Sequence, residues 1–290
     1  MRARSTRPPT SGGRPRFPAL RVLAASAILT APTTAQEFVL DGQIETEGPV
    51  GSSDETLVVG LDLNGDGLED VASIANSGSL QTCFVNTMLA NGAGFDPPVM
   101  IPVPGVHVFD VEAADVDGNG RDELLFLGAD TGGGLGPEVV GVLSSDVSGA
   151  LQAPALWFLP ELGGSLTVGE FTGDDHVDVA VRQSAQIQFL DGDGGGGFTP
   201  GGSVEFPGGK LQSGDLDGDG DTDLVCLGSV FTVLLHDGQG QFSSSSFAAN
   251  NAAAYSSGGT VCDVDGDGSL DVFLKLVIDV PYSTDHVIYE

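Results

Sequence analysis

Asp215-Leu-Asp217-Gly-Asp219-Gly-Asp221-Thr-Asp223 is the stretch on which the reading of this chain turns. Carboxylates stand at positions 1, 3, 5 and 9 of its nine residues, and glycine at positions 4 and 6. Three close copies exist: Asp62-Leu-Asn64-Gly-Asp66-Gly-Leu68-Glu-Asp70, Asp115-Val-Asp117-Gly-Asn119-Gly-Arg121-Asp-Glu123 and Asp263-Val-Asp265-Gly-Asp267-Gly-Ser269-Leu-Asp271. A decayed copy, Glu170-Phe-Thr172-Gly-Asp174-Asp-His176-Val-Asp178, lies between them. In chain order the first residues are 53, 55, 45 and 48 positions apart. Recurrence at such a period marks a repeat architecture.

Calcium is a hard cation that takes six to eight oxygens at about 2.3–2.6 Å. Side-chain oxygens at alternate positions wrap around one point, and the backbone carbonyl of position 7 and the acid at position 9 complete the shell. The expected metal residues are therefore Asp62, Asn64, Asp66, Leu68 and Asp70; Asp115, Asp117, Asn119, Arg121 and Glu123; Asp215, Asp217, Asp219, Asp221 and Asp223; and Asp263, Asp265, Asp267, Ser269 and Asp271. Glycine at position 6 (Gly67, Gly120, Gly220, Gly268) permits the φ > 0 that a sharp inward turn needs. The opening resembles an EF-hand, but the closing acid comes at position 9 rather than 12. Short apolar runs follow each loop (70–74, 123–127, 223–227, 271–278), so the unit is strand–loop–strand. Metal-free Asx turns on an acidic surface are the alternative.

Loops and setting together resemble the FG-GAP/VCBS repeat family, which includes the integrin α-chain β-propeller. The clearest copy is 214–242, from Gly214 and its acidic loop to His236-Asp-Gly-Gln-Gly-Gln-Phe242. In that family the acidic loop joins the first two strands of a blade, and a Gly-rich turn followed by Phe opens the last. Here such turns precede Phe95, Phe198 and Phe242. The resemblance covers nearly the whole chain after residue 36. It implies an all-β β-propeller holding about four Ca²⁺ ions. Loop 170–178 is expected to stay empty, because Thr172 replaces an anion and Asp175 replaces the turn glycine.

The chain ends set the blade count. Residues 1–35 read as a signal peptide: six arginines without acids, an apolar stretch Val22–Ala31, then Thr33 and Ala35 at the −3 and −1 positions of cleavage. A ten-residue apolar run is too short for a bilayer span. Residues 36–290 then form the propeller. Phe38 precedes its loop by 24 residues, against 20, 17 and 21 for Phe95, Phe198 and Phe242. The last repeat stops two strands after its loop, at 285–290. The N-terminal strand is therefore expected to complete the last of five four-stranded blades, closing the ring and hiding its edges.

Residues after 36 carry all 41 acids and four of the ten basic residues. The five loops hold 21 of those acids, a density that repels itself unless cations bind. Such charge excludes nucleic acid and anionic membranes as partners.

Three cysteines include one that cannot pair; Cys226 and Cys262 are candidates for a bridge, and buried free thiols are the commoner reading. No metalloprotease, nucleophile-elbow or phosphate-loop motif occurs. Gly192-Asp-Gly194-Gly-Gly-Gly197 matches a dinucleotide fingerprint only formally, since Phe198-Thr-Pro follows instead of a helix. His107, His176, His236 and His286 share no repeat position, and Trp157 sits in an apolar run where packing is the commoner role.

Two functions remain. One is a secreted, periplasmic or cell-surface calcium-binding module, a monomer used in adhesion or as a structural element for a protein or glycan partner, with no catalytic residues. The other is a secreted polysaccharide hydrolase or lyase using funnel carboxylates, which calls for a buried acid pair away from the repeat loops.

Overall fold

The computed structural model describes residues 22–23, 57–77, 82–130, 137–161, 163–205, 208–228, 230–248, 254–263 and 268–278. Among them there is no helix, and nothing long and apolar enough to cross a membrane as one.

Four antiparallel meanders follow each other along the chain. They are β2 (Leu57–Leu61), β3 (Asp70–Ser77), β4 (Thr82–Met88) and β5 (Val99–Pro104); β6 (Val106–Ala114), β7 (Glu123–Asp130), β8 (Glu138–Leu143) and β9 (Ala155–Phe158); β10 (Gly163–Gly169), β11 (Asp178–Gln183), β12 (Gln186–Gly192) and β13 (Phe198–Glu205); and β14 (Lys210–Gly214), β15 (Asp223–Leu227), β16 (Val230–His236) and β17 (Phe242–Ala248). A fifth sheet pairs β18 (Ala254–Cys262) with β19 (Asp271–Ile278). On the other side of β19, the two-residue β1 (Val22–Leu23) pairs parallel with Val272 and Phe273. Val22 and Leu23 belong to the apolar stretch read as leader. The strands expected at Phe38 and at 285–290 lie outside the described residues, and ring closure is not seen among the described ones.

The sheets stack as blades. First strands neighbour one another in chain order, β2 on β6, β6 on β10, β10 on β14 and β14 on β18. Between successive blades lies an apolar layer, so among the described residues the core is four slabs rather than one centre. Strand alternation explains this. Along β7, Leu124 and Phe126 face the first slab while Leu125 and Leu127 face the second. Along β15, Leu224 and Cys226 face the third while Val225 and Leu227 face the fourth. Second strands buried on both faces read as continuous apolar runs, which is why 123–127 and 223–227 lack polar alternation.

Phe198 and Phe242 are the first residues of β13 and β17, as the repeat pattern implies. Phe95 sits just ahead of β5, bridged to Ala90. In the second blade Leu151, bridged to Ser145, takes the same place.

Candidate metal centre

Every acidic loop joins the first strand of a blade to the second. Inside the loops one hydrogen-bond register repeats. The position-1 carboxylate accepts N–H groups from the turn: Asp62 from Gly65 (2.8 Å), Asp66 (3.2 Å) and Gly67 (2.8 Å), Asp115 from Asn119 and Gly120, Asp215 from Gly218 and Gly220, Asp263 from Gly268. Position 3 accepts from position 5 (Asn64, Asp117, Asp217), and position 5 from position 7 (Asp66, Asn119, Asp219). Position-6 glycines lie at φ +78° (Gly67), +81° (Gly120), +98° (Gly220) and +88° (Gly268). The decayed loop keeps that geometry at a cost. Asp175 takes φ +66°, the one positive φ on a non-glycine among the described residues, in a region aspartate tolerates better than most. Glu170 Oε1 accepts N–H groups from Thr172, Gly173 and Asp174, so this turn is held by its own hydrogen bonds.

The position-9 acid begins the second strand and is sealed from solvent: Asp70, Asp178 and Asp223 are 0 % exposed and Glu123 1 %. One oxygen accepts the N–H of position 2 at 2.8–3.0 Å, from Leu63, Val116, Phe171 or Leu216. The second oxygen of three of them reaches the turn before the last strand: Asp70 accepts Ala90 N–H (2.7 Å), Asp178 accepts Gly192 (2.7 Å) and Asp223 accepts His236 (2.8 Å). This carboxylate therefore staples loop, second strand and distant turn. Glu123 is the exception, since its Oε1 is buried with no hydrogen-bond partner.

Carboxylate oxygens converge in two loops. Asp115, Asp117 and Glu123 lie within 4.8 Å of one another, as do Asp215, Asp217 and Asp223. Two oxygens on opposite sides of a calcium ion are about 4.6–5.2 Å apart at most, so these sets have the right span. Burial pushes Asp223 up to about 6 and Glu123 up to about 7, against the N–H bonds that pull both down. Asp70, Asp178 and Asp217 are also raised, burial again being the main cause. A cation would favour their ionised forms. Asp219 stands outside its cluster, and Asp62, Asp66 and Asp70 are not drawn as close together. Asp265 and Asp267 lie outside the described residues; Asp263, Ser269 and Asp271 are within them, with Asp271 buried.

Neighbouring loops interlock through position 8. Asp122 pairs with Asp62 of the preceding loop. Thr222 packs on Gly169, and Leu270 on Gly214, each glycine directly preceding the earlier loop. The turns before the last strands add contacts: Ser145 Oγ donates to the Leu63 carbonyl, and Gly238 abuts Gly173.

The model of the FG-GAP-like repeat matches residues 62–126, 171–226 and 215–274, more than half of the chain. This chain belongs to the FG-GAP-like repeat family. Each match runs from one acidic loop through to the strand after the next, so the family unit is the interlocked pair of loops just described. No curated protein matches the chain.

Several features of these FG-GAP-like repeats escaped the sequence reading. Position 2 is apolar in all five loops (Leu63, Val116, Phe171, Leu216, Val264), and Leu63, Val116 and Phe171 are buried between blades. That periodicity was available as a signal. The turn at Asp146–Leu151 was missed because it lacks phenylalanine; Asp146 Oδ1 accepts Ser148 and Ala150 N–H just as Asp193 accepts Gly195 and Gly197. His236 is buried, accepts Gly240 N–H at Nε2 (2.9 Å) and stacks on Phe242. His176 lies 3.5 Å from Asp174 within its loop.

Other sequence-level candidates resolve as packing or turns. Trp157 packs edge-on against Phe198 of the next blade, at 5.3 Å. The glycine run 192–197 is a turn closed by Asp193 N–H on the Gly197 carbonyl. All three cysteines are free: Cys83 and Cys226 are buried, with the Cys83 thiol pushed up to about 11 by burial, while Cys262 is exposed. Cys226 faces the slab between the third and fourth blades, away from Cys262 on the last sheet, and the two are not bridged.

Proposed function

We propose that this chain is a secreted calcium-binding propeller, a binding, adhesion or structural module that presents its blades to a protein or glycan partner. The observation that carries the calcium reading is in loop 115–123. Glu123 Oε1 is buried without a partner inside the cluster formed with Asp115 and Asp117. An orphaned buried carboxylate oxygen costs free energy unless a cation meets it. All donors are oxygens, as a hard cation requires. Asp215, Asp217 and Asp223 form a second all-oxygen cluster of the same span, without an orphaned oxygen. The leader-like first 35 residues support export, and the acid excess supports a solvated, monomeric surface. Calcium titration with metal analysis tests the reading: about four ions per chain are expected, and no uptake at millimolar calcium overturns it.

A second reading, a polysaccharide-active enzyme, draws support from one place. Asp110 and Glu112 are acids on β6, outside the loops, and burial together with the charge of Asp110 pushes Glu112 up to about 7. Turnover of acidic or neutral polysaccharides, abolished by Glu112→Gln, would establish it over the first.

A further inference from the structure

We propose that the end of the blades opposite the acidic loops holds a separate pocket for an acidic sugar, with Lys210 and Arg182 facing its carboxylate and Phe109 its ring. The pocket has a volume of about 340 Å³ and is lined by Leu57, Phe109, Asp110, Gly164, Arg182 and Lys210 among others. That size lies at the lower end of the range for small-ligand sites. Leu57, Gly164 and Lys210 stand at or near the start of their first strands, whereas the loops leave from the strands' other ends.

The distribution of charge carries the proposal. Only four basic residues follow residue 36, against 41 acids, and two of the four line this one pocket. Their surroundings hold them there without exhausting them. Asp110 is buried, and its Oδ2 accepts Ser165 Oγ (3.0 Å) and Leu166 N–H (3.1 Å). Its Oδ1 lies 3.5 Å from Lys210 Nζ, too far for a short hydrogen bond. The Lys210 side chain is 47 % exposed and has three donors, so N–H groups remain for a ligand. The Arg182 guanidinium lies over Gly164, where a Cβ would stand 1.8 Å from Nη2. Glycine at 164 is what makes room for it. Arg182 Nε is buried with no acceptor. Glu138, which feels the Arg182 charge, also accepts the Gly163 N–H through Oε2.

Other contacts select a sugar over a bare anion. Phe109 is 43 % exposed at the pocket and leans on His107, 5.3 Å between ring centroids. It offers an apolar face to a pyranose ring, and Leu57 extends it. Asp110 Oδ1 can accept a hydroxyl. A cationic pair, an aromatic face and an acceptor together match a uronate-type residue.

The proposal rests on the binding-module reading and names its ligand. The test is isothermal titration of the secreted, calcium-loaded chain with galacturonate and glucuronate oligomers, their neutral counterparts, and acetate. Uronates are expected to bind, with neutral sugars and acetate at least tenfold weaker. Lys210→Met and Arg182→Gln should each lower uronate affinity at least tenfold, leaving calcium uptake unchanged. If Arg182→Gln fails to fold, Lys210→Met at its half-exposed position decides alone. No binding of uronates, equal binding of neutral sugars, or wild-type affinity in Lys210→Met overturns the proposal. Calcium uptake in the same sample separates that failure from failure of the metal reading. Shortened oligomers in the titrated sample would overturn the binding-module reading on which the proposal rests.

Discussion

Asp62 and Asp122, sixty residues apart, are joined by a reciprocal pair of hydrogen bonds: the Asp62 N–H donates to Asp122 Oδ2 at 2.8 Å, and the Asp122 N–H donates to the Asp62 carbonyl at 2.8 Å. Asp62 opens one acidic loop and Asp122 is position 8 of the next, so two loops share one backbone anchor. Asp122→Ala leaves the Asp62 N–H without its acceptor, a loss worth about 1–3 kcal/mol. Urea unfolding should show that loss, and calcium affinity at both loops should fall together. A stability change below about 0.3 kcal/mol would remove the coupling.

Removal of calcium should lower the melting temperature sharply. Extracellular calcium modules have Kd near 10⁻⁴–10⁻³ M. At about 1 mM calcium and a Kd of about 0.1 mM, each site adds about 1.4 kcal/mol, and four add about 5–6 kcal/mol. Thermal melts in excess EDTA and in calcium give the comparison. Coincident curves would count against the metal reading.

Loops should load in order of ligand charge. Loops 215–223 and 263–271 carry four acids at ligand positions and should bind best, then 62–70, then 115–123 with Asn119 and the longer Glu123. Loop 170–178, with Thr172 at position 3, should take none. Asp219→Ala should therefore cost far more calcium-dependent stability than Asp174→Ala. Five ions per chain, or equal losses, would contradict the order.

Asp223→Asn separates the structural from the metal role of position 9. Both oxygens of Asp223 accept backbone N–H groups, from Leu216 and His236. An amide can satisfy only one and turns a donor on the other, costing about 2–4 kcal/mol. That loss should persist in EDTA, where Asp219→Ala should be near neutral. If Asp223→Asn melts like wild type in EDTA, the staple is not structural.

Glu112 should make the fold less stable as pH rises. Burial raises it to about 7 from an ordinary value near 4.5. Below about pH 4 both folded and unfolded states are protonated and the group contributes nothing. Between about 4.5 and 7 the unfolded chain ionises first, so folding is progressively disfavoured, by about 1–3 kcal/mol above pH 7. Glu112→Gln should accordingly raise stability at pH 8 and leave it unchanged at pH 4. Equal gains at both values would assign the effect to packing.

The loops and their strand–loop–strand setting were legible in sequence because their chemistry is local, while their place between the first and second strands of a blade was implied by the family resemblance. Oxygen-bearing side chains at alternate positions and glycine at position 6 act within nine residues, so spacing alone determined the strand–loop–strand unit, its repetition and the all-β class. The position-9 acids stood out in sequence as expected ligands but not as staples, because their second partners, Ala90, Gly192 and His236, lie 13–20 residues away across a sheet. Leu151 was hidden because the bridge to Ser145 constrains backbone, not side-chain identity. Only the stacking of blades decided that Asp122 meets Asp62, and that β2, β6, β10, β11 and β14 bring Lys210 and Arg182 to one pocket. Those arrangements join residues as far apart as Asp110 and Lys210, 100 positions, and each depends on how one twisted sheet seats against the next, which no local spacing records.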